Sequence, residues 1–519
     1  MTPVDVQRRF RTEPGDLYRL FMFVGLLFLG LTHLPNAIYD VANSRIIATL
    51  TMLGVWRYCW WLVHLVRAQL YARFVFPRYR SQCEAIWQGG WRPRRVVYML
   101  TTFREKRETT EKVLGSIVEE ARTSGIPTWI FFGTSDRSDE VIVEDFLQHA
   151  ARNIDVKLVF IRQNLPGKRV AIGLTLRAMC RYNIHPDDLI FFMDGDTYME
   201  PGILRRCLPL FHLFPKLDAV TTDERAELVG PRWMLDWTNM RFAQRHLAMQ
   251  SQALSRKVLT LTGRLSVFRA HNVLSERFIR MVESDYLDHW LWGRYRFLSG
   301  DDKSTVYALL SKPGSAMMLY VPDAVCCTIE HVEGGGLERT KQNLLRWSGN
   351  LLRNGRRCIA LGPHHIGLFI WWCFMDQQIA MWTTLAGPFA SITLAILDGP
   401  WVLVATVLWI LSTRLVLSLV LFIYNGRINI WYPVLLYFNQ ILNAGVKVYI
   451  IFRLSRQRWR NRGDQKSEGS SGWLATWQSL MANYMTAFYL GLFVLAVGAY
   501  FRLLVLPDPR VMLRMLGMG

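Results

Sequence analysis

Asp188-Leu-Ile-Phe-Phe-Met-Asp194-Gly-Asp196 is the stretch on which the reading of this chain turns. Five apolar residues in succession, 189–193, have the length and composition of a strand buried on both faces. The run ends in two carboxylates two residues apart, just before a turn at Glu200-Pro-Gly202. Upstream, Arg95-Val-Val-Tyr-Met-Leu-Thr-Thr102, Thr128-Trp-Ile-Phe-Phe132 and Asp155-Val-Lys-Leu-Val-Phe-Ile161 are further β-branched and aromatic runs. Helical patterns over 109–122 and from about Gly167 separate them. This alternation predicts an α/β domain on a parallel sheet, which binds its ligand at the carboxyl ends of its strands.

That domain is one part of a membrane protein. The 519 residues are 51% hydrophobic and 20% charged, with 20 Trp, 28 Phe and 19 Tyr, and the mean hydropathy is +0.13. Too few polar residues remain to coat several soluble globules, and a disordered or disulfide-scaffold chain is excluded. The eight cysteines show no C-x-x-C spacing, so neither zinc nor structural disulfides are expected.

Residues 20–39 carry no charge and follow Arg8, Arg9 and Arg11, which predicts a retained anchor with a cytoplasmic N-terminus rather than a cleaved signal. A second span is expected over 46–66, interrupted by Arg57, and apolar stretches return at 366–397, 401–424, 428–446 and 472–501. Four C-terminal crossings would put Arg453, Arg456, Arg458, Arg460 and Arg462 outside, against the positive-inside rule. The stretch 428–446, with Asn439, Gln440, Asn443 and the adjoining Lys447, is therefore read as interfacial, leaving five spans, with six as the alternative. The expected organisation is a tail and two spans over 1–70, a cytoplasmic domain over 71–340, an interfacial helix over 341–365 and a membrane region over 366–519. Asp376, Arg57 and Arg414 fall inside spans, where a charge faces a polar path or a partner.

Two carboxylates at a strand end, Asp194 and Asp196, suit a hard divalent cation that would in turn hold phosphate. A solvated acidic turn could carry the same tripeptide, so the other motifs matter. Gly300-Asp301-Asp302-Lys303 opens a helix; one Asp would suffice as a cap, and two exceed that need. Asn164-Leu-Pro-Gly-Lys168-Arg169 feeds a helix N-terminus with two cations that could receive phosphate or carboxylate. Asn343-Leu-Leu-Arg346-Trp347 precedes the return to the membrane.

Together these features resemble the processive membrane glycosyltransferases of the cellulose, hyaluronan and chitin synthase type. Leu261-Thr-Gly-Arg-Leu-Ser-Val-Phe-Arg-Ala270, Gly300-Asp-Asp-Lys-Ser304, Arg346-Trp-Ser-Gly-Asn350, Asp376-Gln-Gln-Ile-Ala-Met-Trp-Thr383 and Phe452-Arg-Leu-Ser-Arg-Gln-Arg-Trp459 narrow it to the bacterial mannuronan synthases. The resemblance implies a GT-A fold between transmembrane helices in the bacterial inner membrane. It implies transfer of mannuronate from GDP-mannuronic acid to a β-1,4 polymannuronate chain, with extrusion of that chain.

The resemblance makes Asp302 the catalytic base with Asp301 beside it, and Asp194 and Asp196 the metal and diphosphate ligands for Mg2+ or Mn2+. Arg346 and Trp347 match the end of the Q-x-x-R-W motif, with Asn343 in place of the glutamine and Gln342 adjacent. In place of the family's D-D-G-S-like turn the chain reads Gly133-Thr-Ser-Asp136-Arg-Ser-Asp139, and Asp136 is preferred for nucleotide contact. Thr101, Thr102, Arg104, Glu105 and Lys168 join the expected nucleotide-sugar contacts.

An excess of 61 Lys plus Arg over 41 Asp plus Glu suits a polyanionic product, and Arg264, Lys303 and Arg414 are the candidates for its carboxylates, with Asp376 on the polymer path. Much of the excess serves anionic membrane lipid and topology. The resemblance also implies a co-polymerase with a cyclic-di-GMP receptor domain and envelope alginate secretion components. A UDP-sugar synthase and a non-catalytic export scaffold are the rival readings. Nucleic-acid binding is not expected, because no binding module or basic-aromatic stripe is evident.

Overall fold

The computed structural model describes residues 14–36, 45–164, 167–229, 231–331, 336–426, 428–459, 465–466 and 472–500, with 504, 511 and 514. Arg8, Arg9, Arg11, Arg460 and Arg462, and Leu165 and Pro166 of the turn before Lys168, lie outside the described residues. The chain forms two compact units: Met1–Leu62, Ile379–Arg453 and Ser471–Gly519 in one, Val63–Gln378 and Leu454–Ser470 in the other.

The larger unit is built on an eight-stranded sheet of order β3-β2-β1-β4-β7-β6-β10-β5. Its strands are β1 Val96–Thr101, β2 Thr128–Thr134, β3 Val156–Arg162, β4 Leu189–Asp194, β5 Thr197–Met199, β6 Ala219–Val229, β7 Leu265–Arg269 and β10 Met318–His331. A separate hairpin pairs β8 Tyr286–His289 with β9 Gly293–Arg296. Every residue of β1 is buried, as are the first five of β4, so the continuous apolar runs have helices to cover both faces. Tyr98 meets Phe191 at 4.9 Å between ring centroids, and Phe192 meets Phe268 at 4.6 Å.

β3, β2, β1 and β4 run parallel, as the sequence predicts, but β7 pairs antiparallel with both β4 and β6. The sheet is therefore mixed, which corrects the expectation of a parallel one. Leu265, the first residue of β7, pairs with Met193 near the end of β4. The chain thus enters β7 at the carboxyl edge and runs back, and this return sets residues 262–264 beside Asp194.

Local chemistry fixes the connections at this edge. Asp136 caps the helix Arg137–Ala150, its Oδ1 accepting from the Ser138 N–H at 3.1 Å. Gly125, at φ 66°, ends the helix Arg107–Ser124. Gly300 sits at φ 87°, and a Cβ there would lie 2.7 Å from Asn350 Cγ, so only glycine fits before the helix Asp301–Leu310.

The smaller unit is helical. Among the described residues four helices are long and apolar enough to cross a membrane: Pro14–Thr32, Leu368–Leu397, Trp401–Tyr424 and Gly472–Tyr500. Arg45–Leu70, which extends into the larger unit, and Tyr432–Ile450 are also continuous helices. Leu20 and Leu27 pack with Leu415 and Ile428. Two arginines of this unit are held by hydrogen bonds: Arg57 donates to Thr383 Oγ1 through Nε at 2.9 Å and Nη2 at 2.6 Å. Arg453 donates to the Tyr449 carbonyl, Thr486 and Asn483. Arg414 lies within electrostatic reach of Tyr437.

Candidate active site

The two acidic motifs, a hundred residues apart in sequence, meet over one ammonium. Lys168, the first residue of the helix Lys168–Met179, places Nζ 2.7 Å from Asp194 Oδ1 and 2.9 Å from Asp301 Oδ2. Gly263 closes the cluster: a Cβ there would stand 3.1 Å from Lys168 Nζ and 3.3 Å from Asp301 Oδ2. Gly195 is as constrained, because its Cβ would lie 2.9 Å from the Thr101 carbonyl oxygen, to which its own N–H donates at 2.9 Å. The glycine of D-G-D is there because the β4 end runs against the β1 end.

The charges set one another. Burial alone would lower the Lys168 ammonium, but Asp194 and Asp301 outweigh it and hold its pKa above the usual value. Burial pushes the Asp301 carboxyl up, and Lys168 and Arg169 pull it below the ordinary range. Burial, with the charges of Asp196 and Asp301, leaves Asp194 raised despite Lys168. Asp302, beside Asp301 on the first turn, is raised by burial and by Asp301 against the opposing pull of Lys303. A carboxylate with raised pKa at a helix start is a stronger base than a solvated one.

Asp194 and Asp196 fit a divalent cation by donor chemistry and by charge. Asp194 feels both Asp196 and Asp301 as like charges, so one ammonium faces a local excess of carboxylate. The ligands are all oxygen, as Mg2+ and Mn2+ prefer. Among the described residues no group of three or more His, Cys, Asp or Glu forms a metal cluster, so diphosphate oxygens and water would complete the shell.

Lys168 and Arg169 part company, although the sequence sets them together as one basic turn. Arg169 points into the core, donating to the Val282 carbonyl at 2.7 Å, the Ser299 carbonyl at 3.1 Å and Ser304 Oγ at 2.8 Å. Ser304 in turn donates to Asp285, which also accepts from Arg357 at 2.8 Å. Asn350 Oδ1 accepts from Ser299 at 3.1 Å and Arg353 at 2.5 Å. These groups anchor the segment leading into Asp301 and the helix it opens. Apart from Asn350 and Arg353, one helical turn apart, the partners are distant along the chain, so these contacts were not legible as sequence spacing.

The remaining expected residues fall at the same edge or away from it. Thr101 and Thr102 are buried at the end of β1, and Thr102 Oγ1 is enclosed without a hydrogen-bond partner. Arg104 has φ 51°, a left-handed backbone held by its N–H donating to Asp139 Oδ2 at 3.0 Å, and its Nε reaches Asp136 Oδ2 at 3.3 Å. Glu105 follows, half-buried. Asp136 is lowered by the Ser138 hydrogen bonds and then by Arg104.

On the helix Gly336–Ala360, Asn343 is buried with Oδ1 3.5 Å from Arg346 Nη2, while Gln342 turns out to Glu338 at 2.9 Å. Asn343 thus takes the inward place next to Arg346. Trp347 stacks on Trp237, with centroids 6.2 Å apart and planes at 19°.

Two of the polymer candidates are already engaged. Arg264 pairs with Glu224 at 2.5 Å, whose other oxygen lies 3.2 Å from Arg245. Lys303 donates to the Leu259 carbonyl at 3.1 Å and to Thr260. Asp376 lies in the helix Leu368–Asp398, within electrostatic reach of His64. Arg414 belongs to the smaller unit, on the helix Trp401–Asn425.

Residues 93–350 match the family described as Glycosyltransferase like family 2. The chain is 37% identical over 471 residues to the glycosyltransferase alg8 of Pseudomonas syringae pv. tomato, covering 90% of this chain and 94% of that one. It is 34% identical over 494 residues to the glycosyltransferase alg8 of Azotobacter vinelandii, covering 94% and 100%. Among solved structures, the mannosyltransferase PcManGT of Pyrobaculum calidifontis, in complex with GDP-Man and Mn2+, has 17% identity and a TM-score of 0.44 and spans 75% of this chain and 98% of that one. The chain therefore belongs to the alg8 glycosyltransferases, with a glycosyltransferase family 2-like domain over residues 93–350 and, among the described residues, four helices long and apolar enough to cross a membrane.

Proposed function

We propose that the chain polymerises mannuronate from GDP-mannuronic acid into β-1,4-linked polymannuronate at the bacterial inner membrane and passes the product through its helical unit. The observation that carries this reading is the convergence of Asp194, Asp301 and Lys168, with Asp302 adjacent, at the carboxyl edge of β4. A donor with an α-linked nucleotide giving a β-linkage needs one displacement at the anomeric carbon, hence one base and one stabilised leaving group.

Asp302 is the base: its carboxylate takes the proton of the acceptor hydroxyl as the new C–O bond forms. Lys168 and Arg346 meet the negative charge that grows on the departing GDP. Asp194 and Asp196 would hold Mg2+ or Mn2+, which neutralises diphosphate charge when bound. Thr101, Thr102, Arg104, Glu105 and Asp136 lie at or beside the β1 and β2 ends, where a nucleotide would lie in a sheet of this kind.

In this reading residues 71–340 are the cytoplasmic transferase domain, 341–365 an interfacial helix carrying Arg346 and Trp347, and the flanking spans the export path. A co-polymerase with a cyclic-di-GMP receptor domain and envelope secretion components are the partners. The test is donor use by the purified chain in membranes. Mannuronan should form from GDP-mannuronic acid and not from UDP-glucose, UDP-N-acetylglucosamine or UDP-glucuronic acid. Consumption of a UDP-sugar alone would overturn the reading.

A further inference from the structure

Trp347 does not stand alone. The helix Arg232–Ala253 brings Trp237 against it and, one turn further, Arg241. The Arg241 guanidinium carbon lies 4.4 Å from the Trp347 ring centroid and 4.8 Å from that of Trp237. Arg241 Nη1 is enclosed and meets no acceptor. Burial lowers its pKa to about 10 with no carboxylate to oppose the shift.

The unit's other inward-facing guanidiniums are served differently. Arg169 and Arg269 donate to carbonyls, Arg353 to the Leu454 carbonyl and Asn350, and Arg245 and Arg264 share Glu224. A desolvated cation held only by indole faces lacks an anion, and the cost of leaving it so is recovered when an anion binds.

The position is informative. Arg245 lies one turn along from Arg241, on the same helix face, and its Glu224 also holds Arg264, the neighbour of Gly263 in the Lys168 cluster. From the other side Asn350, one turn beyond Trp347, buttresses Ser299 and Gly300 just ahead of Asp301. The helices that carry the two indoles and the cation are therefore tied, one turn along each, to the surroundings of Asp301 and Asp302: Arg245 acts on Lys303 through its charge, and Asn350 meets Ser299 and Gly300. Arg241 is half-buried rather than sealed, so a group can approach it. Indole faces suit the flat apolar side of a sugar ring, and a guanidinium suits a carboxylate.

We propose that Arg241, with Trp237 and Trp347, forms a subsite for a carboxylate-bearing sugar of the acceptor chain, so that the site reads the acid group of the polymer. This rests on the proposed function and adds a residue that selects a uronate acceptor over a neutral one.

The test is equilibrium binding of the purified full chain in lipid nanodiscs, without donor, to oligomannuronate and to the same oligomer with its carboxylates reduced to alcohols. The wild-type chain should bind the charged oligomer at least tenfold more tightly. Arg241→Gln should remove that preference while leaving affinity for the neutral oligomer within about twofold, which also reports an intact fold. Arg241→Lys should retain part of the preference, because it keeps charge but loses the planar fork. An unchanged preference in Arg241→Gln, or equal loss for both oligomers, overturns the proposal. So does a shift in half-saturation by GDP-mannuronic acid with none for the acceptor. Failure of the wild-type chain to use GDP-mannuronic acid overturns the functional reading instead, and the donor-free titration keeps the two results apart.

Discussion

Replacing Lys168 by Met keeps most of the side chain's length and apolar stem but removes the charge between Asp194 and Asp301. At 2.7 and 2.9 Å, each contact is worth about 6 kcal/mol of raw attraction at an effective dielectric of about 20. Most of that is offset by desolvation, so the net loss on breaking a buried pair from one side is about 3–5 kcal/mol.

The loss should depend on pH. Without the ammonium, the Asp194 and Asp301 carboxyls face each other and Asp196 in a buried place, and their folded pKa values rise above the unfolded ones. Such groups destabilise the fold above the raised pKa and cease to do so once protonated. The gap between wild type and variant should therefore be widest near pH 8 and narrow towards pH 5. In thermal unfolding of the purified chain it should amount to roughly 4–7 °C at pH 8, given the unfolding entropy of a unit of this size. Mn2+ should restore part of it by taking the cation's place. A gap that is the same at both pH values, or absent, refutes the idea that Lys168 is the counterion of the two acidic motifs.

Three further outcomes follow from the same cluster. Asp302→Asn should lower polymer formation about 10²–10⁴-fold in membranes that hold normal amounts of chain; wild-type activity should fall on the acid side through a pKa above the ordinary aspartate value, since burial raises Asp302. Gly300→Ala should destabilise by about 1–3 kcal/mol because of φ 87° and the 2.7 Å approach to Asn350. Adding Asn350→Ala should recover the steric part, and full additivity by thermal denaturation would argue against that clash. Chelation with EDTA should abolish transfer, Mg2+ or Mn2+ should restore it, and circular dichroism should not change.

What the sequence disclosed was local. Asp194-Gly-Asp196 and Gly300-Asp-Asp-Lys303 carry their chemistry within a few residues, and the strand before the first motif is unmistakable by its unbroken apolar run. The direction of β7 was not legible, because it depends on where the loop before Leu265 returns to the sheet, and no periodicity encodes that. Nor was the separation of Lys168 from Arg169: neighbours on a helix point about 100° apart, so two adjacent cations serve different masters. Arg264 and Lys303 looked available for substrate carboxylates because their partners, Glu224 and the Leu259 carbonyl, lie some forty residues away. Trp237 and Arg241 share an i, i+4 spacing that could have been noticed, but nothing in the sequence joins them to Trp347.

The helix Gly336–Ala360 carries Trp347, Asn350, Arg353 and Arg357 on successive turns. It thereby works as a gauge: the spacing between the aromatic shelf and the clamp before Asp301 is three residues of helical rise, about 4.5 Å. A single-residue insertion between Trp347 and Asn350 would swing one contact about 100° from the other and uncouple where the sugar rests from where its hydroxyl loses a proton. Substitutions along this rod should be tolerated more readily than any change in its length.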